Sequence, residues 1–177
     1  MHKRYFISLL VCFVMIQSAW AQGIINKGGN IVIKKDAFVV VKTNKGHYVN
    51  KNMGWLDIRN GGTLLIEGNW LNNSPNMVMK TNQGRVVLNG GAQTIGGFFS
   101  TGFSSLDIAG TANKMLLINT FTGGVYAGSK TGVLNLQNSL NLNSKRLIVN
   151  NGSPFAIKRT TGFLLSETDP ISGYGEA

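Results

Sequence analysis

Cysteine, histidine and proline are scarce in this 177-residue chain, which contains one Cys, two His and three Pro. Cys12 and His2 lie in an N-terminal segment that we expect to be removed, so the mature chain keeps one histidine, His47, and no cysteine. These absences exclude a disulfide scaffold, a thiol nucleophile and a Cys/His zinc site built within the mature chain. His47 has no Ser or Cys partner pattern around it and is predicted to be structural.

Long apolar runs are also missing, except at the N-terminus. Lys3 and Arg4 precede an apolar run from Phe6 to Ile16, and Ala-Trp-Ala at 19–21 supplies the small residues of a signal-peptidase site. The run is about half of the roughly 20 residues needed to span a bilayer, so a membrane anchor is the weaker alternative. We predict a signal peptide over residues 1–21, cleavage near Ala21, secretion to the cell surface or beyond, and no membrane span in the mature chain.

Acidic residues are few, with seven Asp and Glu against 17 Lys and Arg and a net charge of +10. Loss of Lys3 and Arg4 with the signal leaves 15 basic residues and a net charge of +8. The basic residues are scattered and not interleaved with aromatic residues, so no nucleic-acid partner is indicated. For an exported protein, this charge favours acidic polysaccharide or an anionic cell envelope or matrix polymer as partner. A solvated, lysine-rich surface that protects strand edges is the simpler interpretation.

Helix signals are nearly absent from Gly23 onward, where Gly and Asn interrupt the sequence every few residues. Short runs of β-branched and long aliphatic residues recur instead, most of them bounded by Gly, Asn, Ser or Thr. They predict strands at residues 31–33, 38–41, 56–58, 64–66, 86–88, 106–108, 115–118, 133–136 and 147–149. The mature chain is therefore predicted to be all-β.

The best-defined unit runs from Trp55 to Asn73 and contains two short strands, each followed by a turn signal. Its apolar face is too small to be buried alone, so it needs neighbours of the same kind. Asn recurs at the head of similar turns, at spacings of 34, 29, 30 and 31 residues. Asn tolerates the left-handed conformation and can bond an amide one coil away, and Gly takes positive φ without steric cost. The predicted turn positions are Asn26, Asn60, Gly61, Gly62, Asn89, Gly90, Asn119 and Asn150.

Two architectures are compatible with this pattern. A β-sandwich would use Asn60-Gly61, Asn89-Gly90 and Asn151-Gly152 as tight turns between antiparallel strands. A right-handed parallel β-helix, or β-solenoid, would use the same steps as corners between parallel strands. The very short strands, the drifting period and the missing Cys…Trp…Cys pattern favour the β-helix. We predict one β-helix-like domain over residues 22–177, with the β-sandwich as the alternative.

Three ordered motifs resemble the rungs of large secreted surface proteins of Bacteroidetes. Residues 61–73 resemble their "G-x-L-x-V-x-G-x-W-x-N" rung, and residues 90–95 with 103–108 resemble their "G-x-x-Q-x-I…F-x-x-L-x-I" module. Residues 134–149 with 156–167 resemble the step that follows, "L-x-L…L-x-L-N-x-x-x-L-x-I…I-x-R-x-x-G-x-I-x-S-E". The match covers nearly all of the mature chain, in order.

The resemblance implies a parallel β-helix-like stalk in an adhesin-like protein that is exported by type IX secretion with a separate C-terminal sorting domain. No such domain is visible before Ala177. The resemblance therefore implies a β-helix that is truncated at its C-terminal end and is covalently continuous with further domains in a longer protein. It carries over no catalytic residue, because the shared motifs are scaffold positions.

Parallel β-helices also host polysaccharide lyases and glycosidases, so the carboxylates bear on an enzymatic function. Glycoside hydrolysis usually needs two carboxylates that face one groove. Asp57 and Glu67 lie in adjacent predicted strands, but Asp57 is flanked by core-type Leu56 and Ile58 and is predicted to face solvent. Asp107 has the same place in a second Leu-Asp-Ile, which indicates a repeat position. We predict no catalytic residue, no calcium site and no cofactor from the dispersed carboxylates, which are Asp36, Asp57, Glu67, Asp107, Glu167, Asp169 and Glu176.

The aromatic residues of the central unit are Trp55, Trp70 and Tyr48. An exposed aromatic ring can stack on a sugar, whereas a buried one fills the solenoid core, and the core is the favoured interpretation. The leading hypothesis is a non-enzymatic structural or adhesin-like segment of a secreted or cell-surface protein. The alternative is a carbohydrate-binding module or a polysaccharide-degrading β-helix enzyme. A groove that holds two or more carboxylates, or Asp with Lys or Arg, beside exposed aromatic residues would favour this alternative.

Overall fold

The computed structural model describes residues 23–43, 45–81, 83–124 and 130–166. The predicted signal peptide at 1–21 lies outside these ranges, as do Glu167, Asp169 and Glu176. Every strand pair within them is parallel. The described part contains strands and turns without a helix, and hence no helix able to cross a membrane. The predicted parallel β-helix is confirmed, in an arrangement consistent with the right-handed sense, and the antiparallel β-sandwich is wrong.

The chain winds through six coils and enters a seventh, and its strands, numbered along the sequence, stack on three faces. The first sheet contains β1 (Gly23–Lys27), β4 (His47–Lys51), β7 (Trp70–Asn73), β9 (Gln93–Gly97), β12 (Lys114–Leu116), β15 (Leu140–Asn141) and β18 (Leu164–Leu165). The second sheet contains β3 (Phe38–Val41), β6 (Thr63–Ile66), β8 (Arg85–Leu88), β11 (Ser105–Ile108), β14 (Leu134–Leu136) and β17 (Ile157–Arg159). The third face contains β2 (Asn30–Ile33), β5 (Trp55–Ile58), β10 (Thr101–Gly102), β13 (Thr120–Thr122) and β16 (Leu147–Val149).

Coil 3 interrupts the third face. In the described part of that coil, two isolated bridges, Leu56 to Met79 and Val78 to Gly102, replace a regular strand between β5 and β10. Val78 is fully buried and has a φ of 69°, a left-handed conformation that is rare for a β-branched residue. The backbone N–H of Val78 donates to Asn76 Oδ1 at 3.3 Å, which gives the distorted segment an internal partner. The third face is therefore divided, while the other two sheets are continuous.

The main hydrophobic core lies inside the second sheet. Its inward positions form two aliphatic columns in register from coil to coil, and from coil 2 to coil 5 these side chains are buried. Each such side chain contributes about 1.5–3 kcal/mol when fully buried. The columns are Val39, Leu64, Val86, Leu106 and Leu134, and Val41, Ile66, Leu88, Ile108 and Leu136.

The recurring asparagines do not mark one repeated position. Residues in register along the first sheet are 21 to 26 positions apart, which is the length of one coil. The asparagine spacing near 30 is longer than one coil, so each step along the asparagine series also advances by about one face. The predicted turn residues accordingly fall at three corners. They are Asn119 between the first sheet and the third face, Asn60, Gly61, Gly62 and Asn150 between the third face and the second sheet, and Asn89 and Gly90 at the return to the first sheet. Asn26 lies within β1, and its Oδ1 accepts from the Gly29 N–H in the turn that follows.

Candidate functional site

A column of asparagines runs inside the first sheet, next to the third face. Asn26, Asn50 and Asn72 are in register on β1, β4 and β7, and all three are buried. Asn50 Nδ2 donates to Asn76 Oδ1 at 3.1 Å and lies 3.5 Å from Asn72 Oδ1. Asn72 Nδ2 donates to the carbonyl oxygens of Asn76 and Ser100 at 2.8 and 2.7 Å. These amides bond the corners of neighbouring coils to one another, which is a structural task.

Tyr48 and Trp70 lie in the adjacent inner column and stack with ring centroids 4.3 Å apart. Trp70 Nε1 donates to Thr101 Oγ1 at 2.9 Å, and the Phe103 ring is tilted against the indole with ring centroids 4.8 Å apart. Tyr48 and Trp70 are fully buried. The ligand-stacking prediction is therefore wrong for both rings, and they belong to the core. Trp55 is partly exposed on β5, so a stacking role for it stays a prediction.

A third inner column contains two further polar side chains, Gln93 on β9 and Lys114 on β12. Gln93 Nε2 donates to the carbonyl oxygen of Gly68, and Gln93 Oε1 accepts from the backbone N–H of Gly90 at 2.6 Å. Lys114 Nζ donates to the carbonyl oxygens of Gly90 and Ala112 at 3.1 and 2.5 Å. Burial lowers the pKa of Lys114 to about 8. The ammonium group therefore donates hydrogen bonds inside the corner and does not contact solvent.

Asp57 points away from the core, yet it is only 2% exposed. Arg59 Nη2 lies 2.8 Å from Asp57 Oδ2, and Thr81 Oγ1 donates to Asp57 Oδ1 at 3.3 Å. The prediction that Asp57 faces solvent is wrong, because Arg59 and the coil 3 loop that carries Thr81 cover it. The Arg59 side chain remains 55% exposed. A buried carboxylate therefore holds a guanidinium group at the surface.

Asp107 repeats this arrangement on the second sheet. Its side chain is nearly buried, Arg85 Nη1 lies 3.6 Å from Asp107 Oδ2, and Asn135 Nδ2 donates to the same oxygen at 3.3 Å. Burial raises the pKa of Asp107, and Arg85 and Asn135 offset part of that shift. Asp57 lies on the third face and Asp107 on the second sheet, so the two Leu-Asp-Ile segments do not occupy one repeat position.

The two arginines line neighbouring concavities at the corner between the third face and the second sheet. One concavity has a volume of about 460 Å³ and is lined by Val32, Lys34, Lys35, Arg59, Asn60 and Gln83. The other has a volume of about 310 Å³ and is lined by Asn60, Gly61, Gly62, Thr63, Gly84, Arg85 and Ser105. Because Asn60 belongs to both linings, the two concavities adjoin, and we name them together the corner groove. Sequence reasoning missed it, since its residues come from four separate coils.

The remaining described carboxylates are engaged elsewhere. Glu67 Oε2 accepts from the backbone N–H of Thr43 at 2.8 Å at the corner after β6, so Glu67 and Asp57 do not face one groove. Asp36 lies 3.9 Å from Lys35 Nζ at the surface. Within the described ranges, no group of three or more His, Cys, Asp or Glu residues is placed to hold a metal ion. His47 Nδ1 accepts from the backbone N–H of Asn69 at 2.8 Å, as expected for a structural histidine.

No family model matches the chain, and no curated protein or solved structure matches it. The architecture defines a parallel β-helix protein of about six coils. The resemblance to Bacteroidetes surface proteins stays a prediction, and fold alone does not assign an activity.

Proposed function

We propose that the chain is a non-enzymatic, structural or adhesin-like segment of a secreted or cell-surface protein. A parallel stack of coils is a rigid, quasi-one-dimensional scaffold that presents side chains along its outer faces. The buried polar groups support this role, because Asn50, Asn72, Gln93 and Lys114 bond the corners of the coils from inside.

The observation that carries the proposal is the engagement of the described carboxylates. Asp57 and Asp107 are paired with arginines, Asp36 lies beside a lysine, and Glu67 accepts a backbone hydrogen bond. A glycosidase needs one carboxylic acid and one carboxylate on either side of a scissile bond. Asp57 and Asp107 lie on different faces, each behind its own arginine, which disfavours that geometry.

One feature favours the enzymatic alternative and makes it testable. Asp107 has a raised pKa and lies beside Arg85, which lines the corner groove. A carboxyl group with a raised pKa is a candidate general acid. The purified chain should be incubated with polygalacturonate, alginate and a neutral β-glucan, while new reducing ends and the ultraviolet absorbance of unsaturated uronate ends are followed. We expect no product above buffer. Product formation that is lost in the Asp107→Asn variant but retained in the Asp36→Asn variant would show that the chain is an enzyme.

Localisation is tested separately, in cells that produce the protein. An antibody raised against residues 55–73 should detect the protein outside intact cells, and added protease should remove the signal without cell lysis. The intact mass of the detected product distinguishes a small secreted domain, which would match residues 22–177, from a segment of a longer protein. Signal that resists protease until the cells are lysed would contradict the proposed surface location.

A further inference from the structure

We propose that the corner groove binds a linear polyanionic glycan, with sugar carboxylates held by Arg59 and Arg85. This inference rests on the proposed surface role and names the class of ligand and the site. The lining of the groove is rich in hydrogen-bond donors. The cationic donors are Lys34, Lys35, Arg59 and Arg85, the side-chain amides are Asn60 and Gln83, and the hydroxyl groups are Thr63 and Ser105.

Each of the two arginines, Arg59 and Arg85, lies beside a buried carboxylate. The Asp57 and Asp107 side chains are 3% and 7% exposed, whereas the Arg59 and Arg85 side chains are 55% and 54% exposed. A guanidinium group has five N–H donors, so those that do not contact the buried carboxylate can engage a carboxylate from outside. Arg59 is held at 2.8 Å from its carboxylate and Arg85 is kept at 3.6 Å from Asp107 as a looser ion pair. The side-chain entropy lost when ligand binds is therefore reduced, chiefly at Arg59.

The charge at this corner is arranged with the cations outermost. Besides the groove cations, exposed Lys80 and Lys130 lie on the same corner, in coils 3 and 5. Two of the three described carboxylates near the groove are buried behind arginines, and the third, Asp36, is beside Lys35. An approaching polyanion therefore meets lysine and arginine before it meets Asp57 or Asp107, which favours attraction at moderate ionic strength.

The direction of the groove indicates a linear ligand. Lys34 and Lys35 belong to coil 1, Arg59 to coil 2 and Arg85 to coil 3, and neighbouring strands are separated by about 4.8 Å. Lys34 and Arg59 follow equivalent strands, β2 and β5, and Arg85 begins β8 across the corner, so each successive coil adds a cation to the groove. Cations from successive coils match a polymer with a repeated carboxylate better than they match a single small anion. The groove lining has no aromatic side chain on which bases could stack, which disfavours single-stranded nucleic acid.

The test measures binding of the full purified chain to polygalacturonate by biolayer interferometry, with neutral galactan and single-stranded DNA as competitors. Two groove variants are compared, Arg59→Gln/Arg85→Gln and Lys34→Gln/Lys35→Gln. The second leaves both buried ion pairs intact, so it stays informative if the first unfolds. The matched control is Lys145→Gln/Arg146→Gln, which removes the same charge from exposed positions in coil 6. Circular dichroism checks the fold of each variant.

We expect the arginine variant to bind at least about tenfold more weakly, because one charge-assisted hydrogen bond contributes about that factor. The lysine variant should bind about threefold more weakly, as for exposed charge pairs, and the control should stay within about twofold. Equal loss in the control, unchanged binding in both folded groove variants, or equal competition by DNA or neutral galactan would overturn the site. None of these outcomes bears on product formation or localisation, so failure of this inference is distinguishable from failure of the proposed function.

Discussion

Lys114 offers a direct test of how the interior polar groups contribute to stability. Its side chain is fully buried, its Nζ contacts two neutral carbonyl oxygens, and burial lowers its pKa to about 8. The ordinary value is about 10.4, so the lowered pKa corresponds to at most about 3 kcal/mol. Between pH 8 and about 10.4 the unfolded chain binds more protons than the folded chain, and the free energy of unfolding therefore rises with pH in this window.

Replacement of Lys114 by Met keeps the length of the side chain and removes the buried charge. The carbonyl oxygen of Gly90 retains a hydrogen bond from the Thr111 N–H at 3.1 Å, whereas that of Ala112 loses the contact with Nζ. One lost hydrogen bond costs about 1 kcal/mol. We therefore expect Lys114→Met to raise the free energy of unfolding by about 1–2 kcal/mol at pH 7. By pH 10 most of this gain should be gone, because the wild-type amine is then neutral in the folded state.

The assay is urea unfolding followed by tryptophan fluorescence at pH 7, 8, 9 and 10, for wild type and Lys114→Met. The difference between the two proteins removes the contribution of other titrating groups, including Tyr48, whose pKa burial raises. Lys145→Met, at an exposed position, is the control and should give a small difference that does not depend on pH. A difference between wild type and Lys114→Met that is constant from pH 7 to pH 10 would refute the reasoning.

Three further substitutions test the interior by the same unfolding measurement. Asn72→Ala should lower the free energy of unfolding by about 3 kcal/mol, because the carbonyl groups of Asn76 and Ser100 and the N–H of Ser74 lose a hydrogen-bond partner. The control is Asn73→Ala, at an outward-facing position. A loss of stability in Asn72→Ala no larger than that in Asn73→Ala would contradict this prediction. Tyr48→Phe should leave stability unchanged or raise it by about 1 kcal/mol, because the buried phenol oxygen makes no hydrogen bond of good geometry to a described residue. Asn26 is the neighbouring amide that partly offsets the rise in the Tyr48 pKa, so a clear loss of stability would mean that the Asn26 contact is a real hydrogen bond. Gly97→Ala should cost about 2 kcal/mol or more, since φ is 114° and a Cβ would lie 2.2 Å from the Asn72 carbonyl oxygen. The control is Gly152→Ala, which should change stability by less than about 0.5 kcal/mol because no atom lies within 4 Å of the added Cβ. Equal effects of Gly97→Ala and Gly152→Ala would argue against the close approach of Gly97 to the Asn72 carbonyl oxygen.

The strands that the sequence predicts are those with aliphatic inward positions. All nine predicted segments overlap an observed strand, and five of the six strands of the second sheet are among them. The first sheet was largely missed, because polar or aromatic side chains occupy many of its inward positions, among them Tyr48, Asn50, Gln93 and Lys114. Period-2 hydrophobicity cannot identify a strand whose buried face is hydrogen-bonded rather than apolar.

Asp57 shows why the site could not be found from the sequence. Alternation predicts correctly that this carboxylate points away from the core. Its burial depends on Thr81, 24 residues later, in a loop that replaces a strand in coil 3. The spacing of the asparagines likewise mixes three corners, so it could not show which residues share a corner. The corner groove emerges only when coils 1 to 4 are stacked.

The divided third face has a mechanical consequence. The first and second sheets carry ladders of parallel hydrogen bonds through coil 3, while the third face is joined there by isolated bridges. Bending that opens the third face at this level breaks fewer backbone ladder hydrogen bonds than bending that opens either of the two continuous sheets there. Among the described coils, coil 3 is therefore a weak point of the third face, and amide protons around Val78 should exchange with solvent sooner than those of the flanking ladders. Since Arg85 follows this loop and Arg59 precedes it, bending there would also change the distance between the two guanidinium groups.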